Sequence, residues 1–176
     1  MARLSTLLAA VVGLAFAATS VSAQCTDVHL VFARGTGQPA GFGDVGDPLV
    51  KELAAALPGK TFSAYPGASV TVIAIGIKTI LGQGKTIPTT LAPRIKAVVT
   101  FGNPLRLLGQ TIPGSSPLYG PKSIDDCNPG DPVCGAGFDA NAHQRYPTDG
   151  SVPQAAKQAA ALVLASTRNL RTEESA

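Results

Sequence analysis

The chain has 176 residues, of which 45% are hydrophobic, 14% charged and 5% aromatic. Its net charge of +3 is too small, and its basic residues are too scattered, for binding to nucleic acid or to anionic membranes. The length suits one domain with a single core and is short for two.

The first 23 residues have the composition of a secretory signal peptide. An early Arg3 precedes an apolar run from Leu7 to Ala18, and small residues end the segment at Ala23. A membrane anchor is the alternative, but the run is about a dozen residues, whereas spanning a bilayer takes roughly 20. We therefore expect cleavage after Ala23, secretion to the extracellular space, and one domain over residues 24–176.

The next residues predict a strand, a loop and a helix. Asp27–Ala33 is an almost continuous apolar run that ends in the loop Arg34-Gly35-Thr36-Gly37, which is typical of a buried strand. Asp47–Leu57 has Asp47 as a helix N-cap, Pro48 in the first turn and apolar residues at helical spacing. A second short strand is predicted over Thr61–Tyr65. This order favours parallel βαβ construction, with functional loops at the carboxyl ends of the strands.

The second half of the chain contains fewer regular elements. Ala68–Ile80 suits a buried helix about as well as a strand, and we assign it as a helix. Lys96–Phe101 predicts a third strand, Leu105–Gly150 is a long irregular stretch rich in Gly and Pro, and Ser151–Thr167 predicts an amphipathic helix. A doubly wound domain usually has about five parallel strands, so roughly one βα unit is unaccounted for.

Three cysteines follow the predicted cleavage site, and in an oxidising compartment two of them should pair. Cys127 and Cys134 enclose a short loop rich in Pro and Gly that can bring their sulfurs together, so we predict a disulfide between them. Cys25 is then left over. An odd cysteine in a secreted chain indicates a disulfide-linked dimer, a reactive thiol or a missing partner.

Three motifs together resemble the cutinase family of secreted serine esterases. They are Phe32-Ala33-Arg34-Gly35-Thr36-Gly37, the segment Cys127-Asn128-Pro129-Gly130-Asp131-Pro132-Val133-Cys134, and His143. The resemblance runs from Cys25 to about Leu164. It implies an α/β fold of the α/β-hydrolase type, a three-layer sandwich with a mostly parallel central sheet.

The resemblance also implies the site residues. Thr36 would supply an oxyanion-hole hydroxyl, Asp131 in the disulfide-closed loop would be the catalytic carboxylate, and His143 would be the general base. No cofactor and no metal are implied. The substrate would be an apolar ester such as a cutin-type polyester, a short-chain acyl ester or a lipid, and we expect a monomer unless Cys25 links two chains.

The chemistry of these residue types fits the assignment. A histidine oriented by a buried carboxylate keeps the tautomer that takes a proton from a hydroxyl. Without the resemblance we would favour a simpler interpretation, in which Asp131 makes a turn before Pro132 and His143 is a surface residue. His29 competes for the base role, but its place inside a strand predicts an enclosed structural side chain. The competing carboxylates, none of which lies between the two cysteines, are Asp125, Asp126 and Asp139.

The chain departs from the family at the nucleophile. The family's serine sits in a Gly-Tyr-Ser-Gln-Gly elbow, and no Gly-x-Ser-x-Gly occurs here. Tyr65-Pro66, which resembles the end of the family's second strand, joins Gly67-Ala68, which resembles the residues just after the elbow. We interpret residues 65–68 as the join left by a deletion of some tens of residues, about one βα unit plus a strand. In the family, the partner of the first cysteine lies in that segment, so the deletion would also leave Cys25 unpaired.

Other residues do not replace the missing elbow. Ser63 sits in a predicted strand and Ser69 in the first turn of a predicted helix, so neither has elbow geometry. The segment Gly82–Thr86 is similar to a phosphate loop, but Thr79 stands where the first glycine of that motif is required. We therefore expect this form to be inactive or weakly hydrolytic. It could also be a non-catalytic binding or decoy protein, or an incomplete gene product.

Overall fold

The structure is a computed structural model, and it describes residues 26–35, 38–67, 71–78 and 86–174. Helices alternate with parallel strands along these ranges, interrupted by short 3-10 helices. The strands are β1 (Val28–Ala33), β2 (Phe62–Gly67), β3 (Val98–Phe101) and β4 (Ser123–Asp126). The α-helices are α1 (Gly43–Ala55), α2 (Thr71–Ala74), α3 (Ile112–Ser115), α4 (Ala140–Gln144) and α5 (Ser151–Glu174). The 3-10 helices are Thr89–Arg94, Pro104–Leu108 and Gly120–Lys122.

The four strands form two separate two-stranded sheets, and both sheets are parallel. β1 pairs with β2, with Val28 opposite Phe62, and β3 pairs with β4, with Val98 opposite Ser123. Within the described residues no strand bridges the two pairs. The predicted α/β class with parallel strands is confirmed, and the strands that were expected in one central sheet are divided between two.

One apolar core holds both sheets against the same pair of helices. α1 contributes Leu49 and Leu53, which lie four residues apart and therefore on one face of the helix. α5 faces them with small and β-branched side chains, which let the two helices approach closely. The buried members on α5 are Val152, Ala156, Ala159, Ala160 and Val163. Alternate residues of β1 and β3 pack onto this layer together with Phe62 of β2 and Ile124 of β4, so the helices join two sheets that share no strand hydrogen bonds.

A second core covers the opposite face of the β3–β4 sheet. Val98 packs into it while its neighbour Val99 packs into the first core, as the two-residue period of a strand requires. The other buried members of the second core are Ile75, Ile77, Ala92, Leu105, Ile112 and Tyr119. The β3–β4 sheet is therefore the middle of three layers. The β1–β2 sheet differs, because Val31 and Tyr65 on its outer face are 65% and 61% exposed.

Several predicted boundaries were wrong. α1 begins at Gly43, with Phe42 at the N-cap position, so Asp47 is not the cap and Pro48 lies inside the helix. Burial of Val45 in the first core stabilises the additional N-terminal turn, because packing rather than propensity supplies most helical stability in proteins. β1 begins at Val28 and β2 covers Phe62–Gly67, each within two residues of its predicted bounds.

The stretch predicted as irregular contains a fourth strand. β4 has only one apolar residue, Ile124, so its sequence carries no strand signal, and its pairing with β3 stabilises it instead. β3 itself starts at Val98 rather than Lys96, and α5 continues to Glu174 rather than ending at Thr167. Of the predicted helix over 68–80, the described residues contain only the single turn of α2.

Some predictions lie outside the described residues. They include the signal peptide over residues 1–23, Cys25, and the phosphate-loop-like segment except for Thr86. Among the residues that are described, no helix combines the length and the apolar character needed to cross a bilayer.

The helical layer can be tested by truncating one core side chain. Leu49 is 2% exposed on α1, and we expect Leu49→Ala to lower the free energy of unfolding by about 3 kcal/mol, because it removes buried methyl groups and leaves a cavity. Leu107→Ala is the matched control, since Leu107 is 53% exposed and its truncation should cost less than about 0.5 kcal/mol. Urea unfolding of both variants measures the difference. Equal losses would show that the α1–α5 layer is not the core of the fold.

Candidate active site

The candidate site lies where β3 and β4 end. Gly102 follows β3 directly, and the loop closed by Cys127 and Cys134 follows β4. Because parallel strands end at the same edge of a sheet, these two segments are neighbours, and α4 brings His143 to them. This is the edge of the sheet at which the sequence analysis expected functional loops.

The predicted disulfide between Cys127 and Cys134 is present, with the two Cα atoms 5.9 Å apart. Backbone hydrogen bonds close the loop further, since the Asp131 N–H donates to the Asn128 carbonyl and the Gly135 N–H donates to the Asp131 carbonyl. Cys127, Asp131 and Cys134 bring potential metal-ligating atoms within 4.8 Å of one another, but the two sulfurs are bonded to each other and are not thiolates. The covalent bridge and the backbone bonds hold Asp131 in a fully buried position.

Asp131 and His143 are brought together as the sequence motifs predict. Nδ1 of His143 lies 2.9 Å from Oδ2 of Asp131. The carboxylate is 0% exposed, whereas the His143 side chain is 41% exposed. An imidazole bound through Nδ1 presents Nε2 at the other side of its ring. The arrangement can orient an imidazole for proton transfer.

Tyr146 is a site residue that the sequence analysis missed. Its hydroxyl donates to Oδ2 of Asp131 at 2.7 Å and accepts from the backbone N–H of Asn128 at 3.0 Å. Burial raises the pKa of Tyr146 well above its usual range; the Asn128 N–H opposes this shift and the neighbouring Asp131 adds to it. The hydroxyl therefore stays protonated and remains a donor. In the sequence, the one indication that Tyr146 belongs to the site is its position three residues after His143 in a loop-rich region.

Three donors keep the buried Asp131 carboxylate ionised. Burial by itself would raise the pKa of Asp131, but hydrogen bonds from Tyr146 and His143 to Oδ2, and from the Val133 N–H to Oδ1 at 2.7 Å, outweigh it. The pKa of Asp131 therefore lies below its usual range. An ionised carboxylate in this position can stabilise a positive charge on His143.

Gly102 packs directly against Asp131 and His143. Its φ of +65° is in the left-handed region that favours glycine, and a Cβ added there would lie 2.6 Å from Cε1 of His143 and 3.3 Å from Oδ2 of Asp131. Position 102 therefore requires glycine, both because of its backbone conformation and because a side chain there would meet the His143 ring.

The competing carboxylates have other partners. Asp125 is buried and accepts hydrogen bonds from the Thr100 hydroxyl at 2.9 Å and the Ile112 N–H at 3.0 Å, which ties the end of β3 to α3. Asp139 caps α4 through the Asn141 N–H. Burial raises the pKa of Asp126, which lies at the end of β4. None of the three makes the contact with His143 that Asp131 makes.

Of the other residues that the sequence analysis considered for catalysis, Thr36 and Ser69 are not described by the structure, whereas His29 is. Ala68, on the far side of the proposed join, also lies outside the described residues. His29 was predicted to be enclosed, and this was wrong. It is exposed because no described element packs on the outer face of the β1–β2 sheet, and its Nδ1 lies 2.6 Å from Oγ of Ser63.

Comparison with known proteins extends this picture. A sequence model of the Cutinase family matches residues 62–164. A cutinase of Kineococcus radiotolerans is 37% identical over an alignment that covers 82% of this chain and 64% of that protein. A probable carboxylesterase of Mycobacterium tuberculosis, Culp3, is 30% identical, with 80% of this chain and 69% of that protein covered. The chain thus spans less than two thirds of the length of the Kineococcus protein.

A solved structure is also similar. Trichoderma reesei cutinase, determined in complex with a C11Y4 phosphonate inhibitor, superposes with a TM-score of 0.53 at 25% identity, covering 81% of this chain and 77% of that one. The parallel strands and helical layer, with a buried Asp131 bound to a partly exposed His143 at the strand ends, define an α/β protein of the hydrolase type. The family match and the similarity to the curated relatives make the assignment specific: the chain belongs to the cutinase family.

Gly102 provides a test of the geometry around the pair. We expect Gly102→Ala to displace the His143 ring, because the new Cβ would lie only 2.6 Å from Cε1. The NMR signal of the His143 Nδ1 proton hydrogen-bonded to Asp131 should be lost. Gly109→Ala is the matched control, since Gly109 has a similar φ of +72° with nothing within 4 Å of the added Cβ. If Gly102→Ala gave the same signal as Gly109→Ala, the close contact of the His143 ring with Gly102 would be contradicted.

The lowered pKa of Asp131 predicts a pH dependence of stability. The unfolded chain takes up the proton near the ordinary value of about 3.9, whereas the folded chain takes it up only at lower pH. The stabilisation is therefore complete above pH 3.9 and is lost as the pH falls through the folded value. We expect the excess stability of the wild type over Asp131→Asn, measured by urea unfolding from pH 6 to pH 2, to shrink on acidification. A gap that widens would show that the carboxylate is not stabilised in its ionised form.

Proposed function

We propose that this chain derives from a secreted carboxylic ester hydrolase of the cutinase family, and that Asp131 and His143 are the acid–base part of its serine mechanism. The hydrogen bond of 2.9 Å between Nδ1 of His143 and buried Asp131 carries this proposal. Asp131 orients the ring, Nε2 takes the proton of a serine hydroxyl, and the carboxylate stabilises the imidazolium that forms. Thr36, with a backbone N–H, would stabilise the tetrahedral oxyanion.

The proposed substrates are apolar carboxylic esters, of the cutin type or with short acyl chains. The names of the related proteins, cutinase and probable carboxylesterase, support ester chemistry. The signal-peptide composition of residues 1–23 supports secretion to the extracellular space. In this mechanism the proton transfers need only side chains of the protein, and we propose no cofactor.

We further propose that the segment carrying the nucleophile has been deleted at the join between Tyr65-Pro66 and Gly67-Ala68. The chain contains no Gly-x-Ser-x-Gly. Two parallel strand pairs pack on one helical layer, and no strand in the described ranges links them, as expected for a sheet that has lost its middle strand. The alignment with the Kineococcus cutinase runs over 188 positions, more than the 176 residues of this chain, so part of the alignment consists of gaps.

The consequence is that this form lacks turnover or hydrolyses esters only weakly. Without a nucleophile, only binding and oxyanion stabilisation remain. The absence of the serine motif also favours a second candidate, a non-catalytic binding or decoy protein that keeps the surface of the family. An incomplete gene product of a longer esterase is the third.

The experiment compares the mature protein with His143→Ala in hydrolysis of p-nitrophenyl butyrate. We expect the same rate of continuous turnover for both proteins, because the base has no hydroxyl to activate. Turnover that depends on His143 would overturn the missing-nucleophile proposal.

Sequencing the transcript across the codons of Tyr65–Ala68 separates the remaining candidates, since a longer message that encodes the elbow would identify an ordinary esterase. Cooperative thermal unfolding of this form would exclude a broken fold.

A further inference from the structure

The outer face of the β1–β2 sheet carries a second group of reactive side chains. The strand register places His29 opposite Ser63 and Val31 opposite Tyr65. All four side chains are on one face, because positions two residues apart along a strand point the same way. His29, Val31 and Tyr65 are exposed. This face is remote in sequence from Asp131 and His143 and belongs to the other sheet.

Within this face the Ser63 hydroxyl contacts an imidazole. Its Oγ lies 2.6 Å from Nδ1 of His29 and 2.6 Å from Oγ1 of Thr26. A hydroxyl has one proton to donate, so Ser63 can donate to His29 while it accepts from Thr26. In that arrangement Nδ1 is the unprotonated nitrogen of a neutral ring and can take the proton of the serine. The pairing of β1 with β2 holds the two groups in place.

We propose that Ser63 and His29 form a second reactive pair, which accepts an acyl group from activated carboxylic esters with an apolar acyl chain. Oγ of Ser63 bonds to the carbonyl carbon as its proton passes to Nδ1 of His29. The bond from that carbon to the leaving oxygen then breaks, the leaving group departs with the electron pair, and His29 releases the proton to it or to water. The acyl chain lies over Val31 and Tyr65, about 7 Å further along the strands.

The position of Ser63 limits which esters react. Ser63 lies within a strand, where backbone N–H groups lie in the plane of the sheet and side chains stand perpendicular to it. The backbone therefore does not stabilise the oxyanion as the turn of a nucleophile elbow does. Only esters with a good leaving group, such as p-nitrophenyl esters, should react, and each chain should be acylated once.

The test uses the mature protein and p-nitrophenyl butyrate. We expect a burst of at most one p-nitrophenolate per chain, and a butyryl group on the peptide that contains Ser63 in mass spectrometry. Ser63→Ala should abolish both signals. His29→Gln should slow acylation about a hundredfold, because an amide can hydrogen-bond the hydroxyl but cannot act as a base. Ser123→Ala is the matched control, since the Ser123 hydroxyl donates to a backbone carbonyl at 2.8 Å, and it should leave the burst unchanged.

Two results would overturn this proposal. One is butyrylation that is absent from Ser63 or is found on other residues instead. The other is acylation at an equal rate in His29→Gln and in the wild type, which would mean that His29 is not the base. These outcomes are distinct from failure of the proposed function, because the single acylation is tested in the Ser63 and His29 variants, whereas the proposed function is tested by continuous turnover in His143→Ala.

Discussion

The packing of α1 against α5 is the contact on which the rest of this structure depends. The β1–β2 and β3–β4 sheets share no strand hydrogen bonds in the described chain, so their relative position is set through the helices. α1 contacts β1, α5 contacts β3 and β4, and the two helices pack against each other. Leucines on α1 meet alanines on α5, and the small side chains bring the helices close enough to form one continuous core. The helical layer can thus keep two separate sheets in one domain.

The Asp–His pair is built almost entirely from one short part of the chain. A buried carboxylate is costly unless it is hydrogen-bonded, and Asp131 has donors from Val133, Tyr146 and His143. The disulfide closes the same segment, and Phe101 and Gly102 at the end of β3 are contacts from elsewhere in the sequence. A site assembled so locally can keep its geometry even if another segment of the domain has been lost. This explains how an ordered Asp–His hydrogen bond can exist in a chain that has no serine elbow.

The same locality decided which site residues could be predicted. Asp131 lies between two cysteines and His143 follows closely, so the motif itself places them together. Tyr146 also lies nearby, but a tyrosine in a loop gives no sign that its hydroxyl donates to a buried carboxylate rather than to water. Only the tertiary packing, which buries the ring against Phe101 and His143, assigns it that partner.

The sequence by itself determined the parallel α/β class, the Cys127–Cys134 disulfide and the candidate acid–base residues, because hydrophobic runs and short spacings encode local structure. Tertiary structure decided the features that depend on contacts between distant residues. β4 is a strand because β3 pairs with it, and His29 is exposed because no element among the described residues packs on its face of the sheet. His29 meets Ser63, 34 residues away, through the register of two strands, which no local pattern specifies.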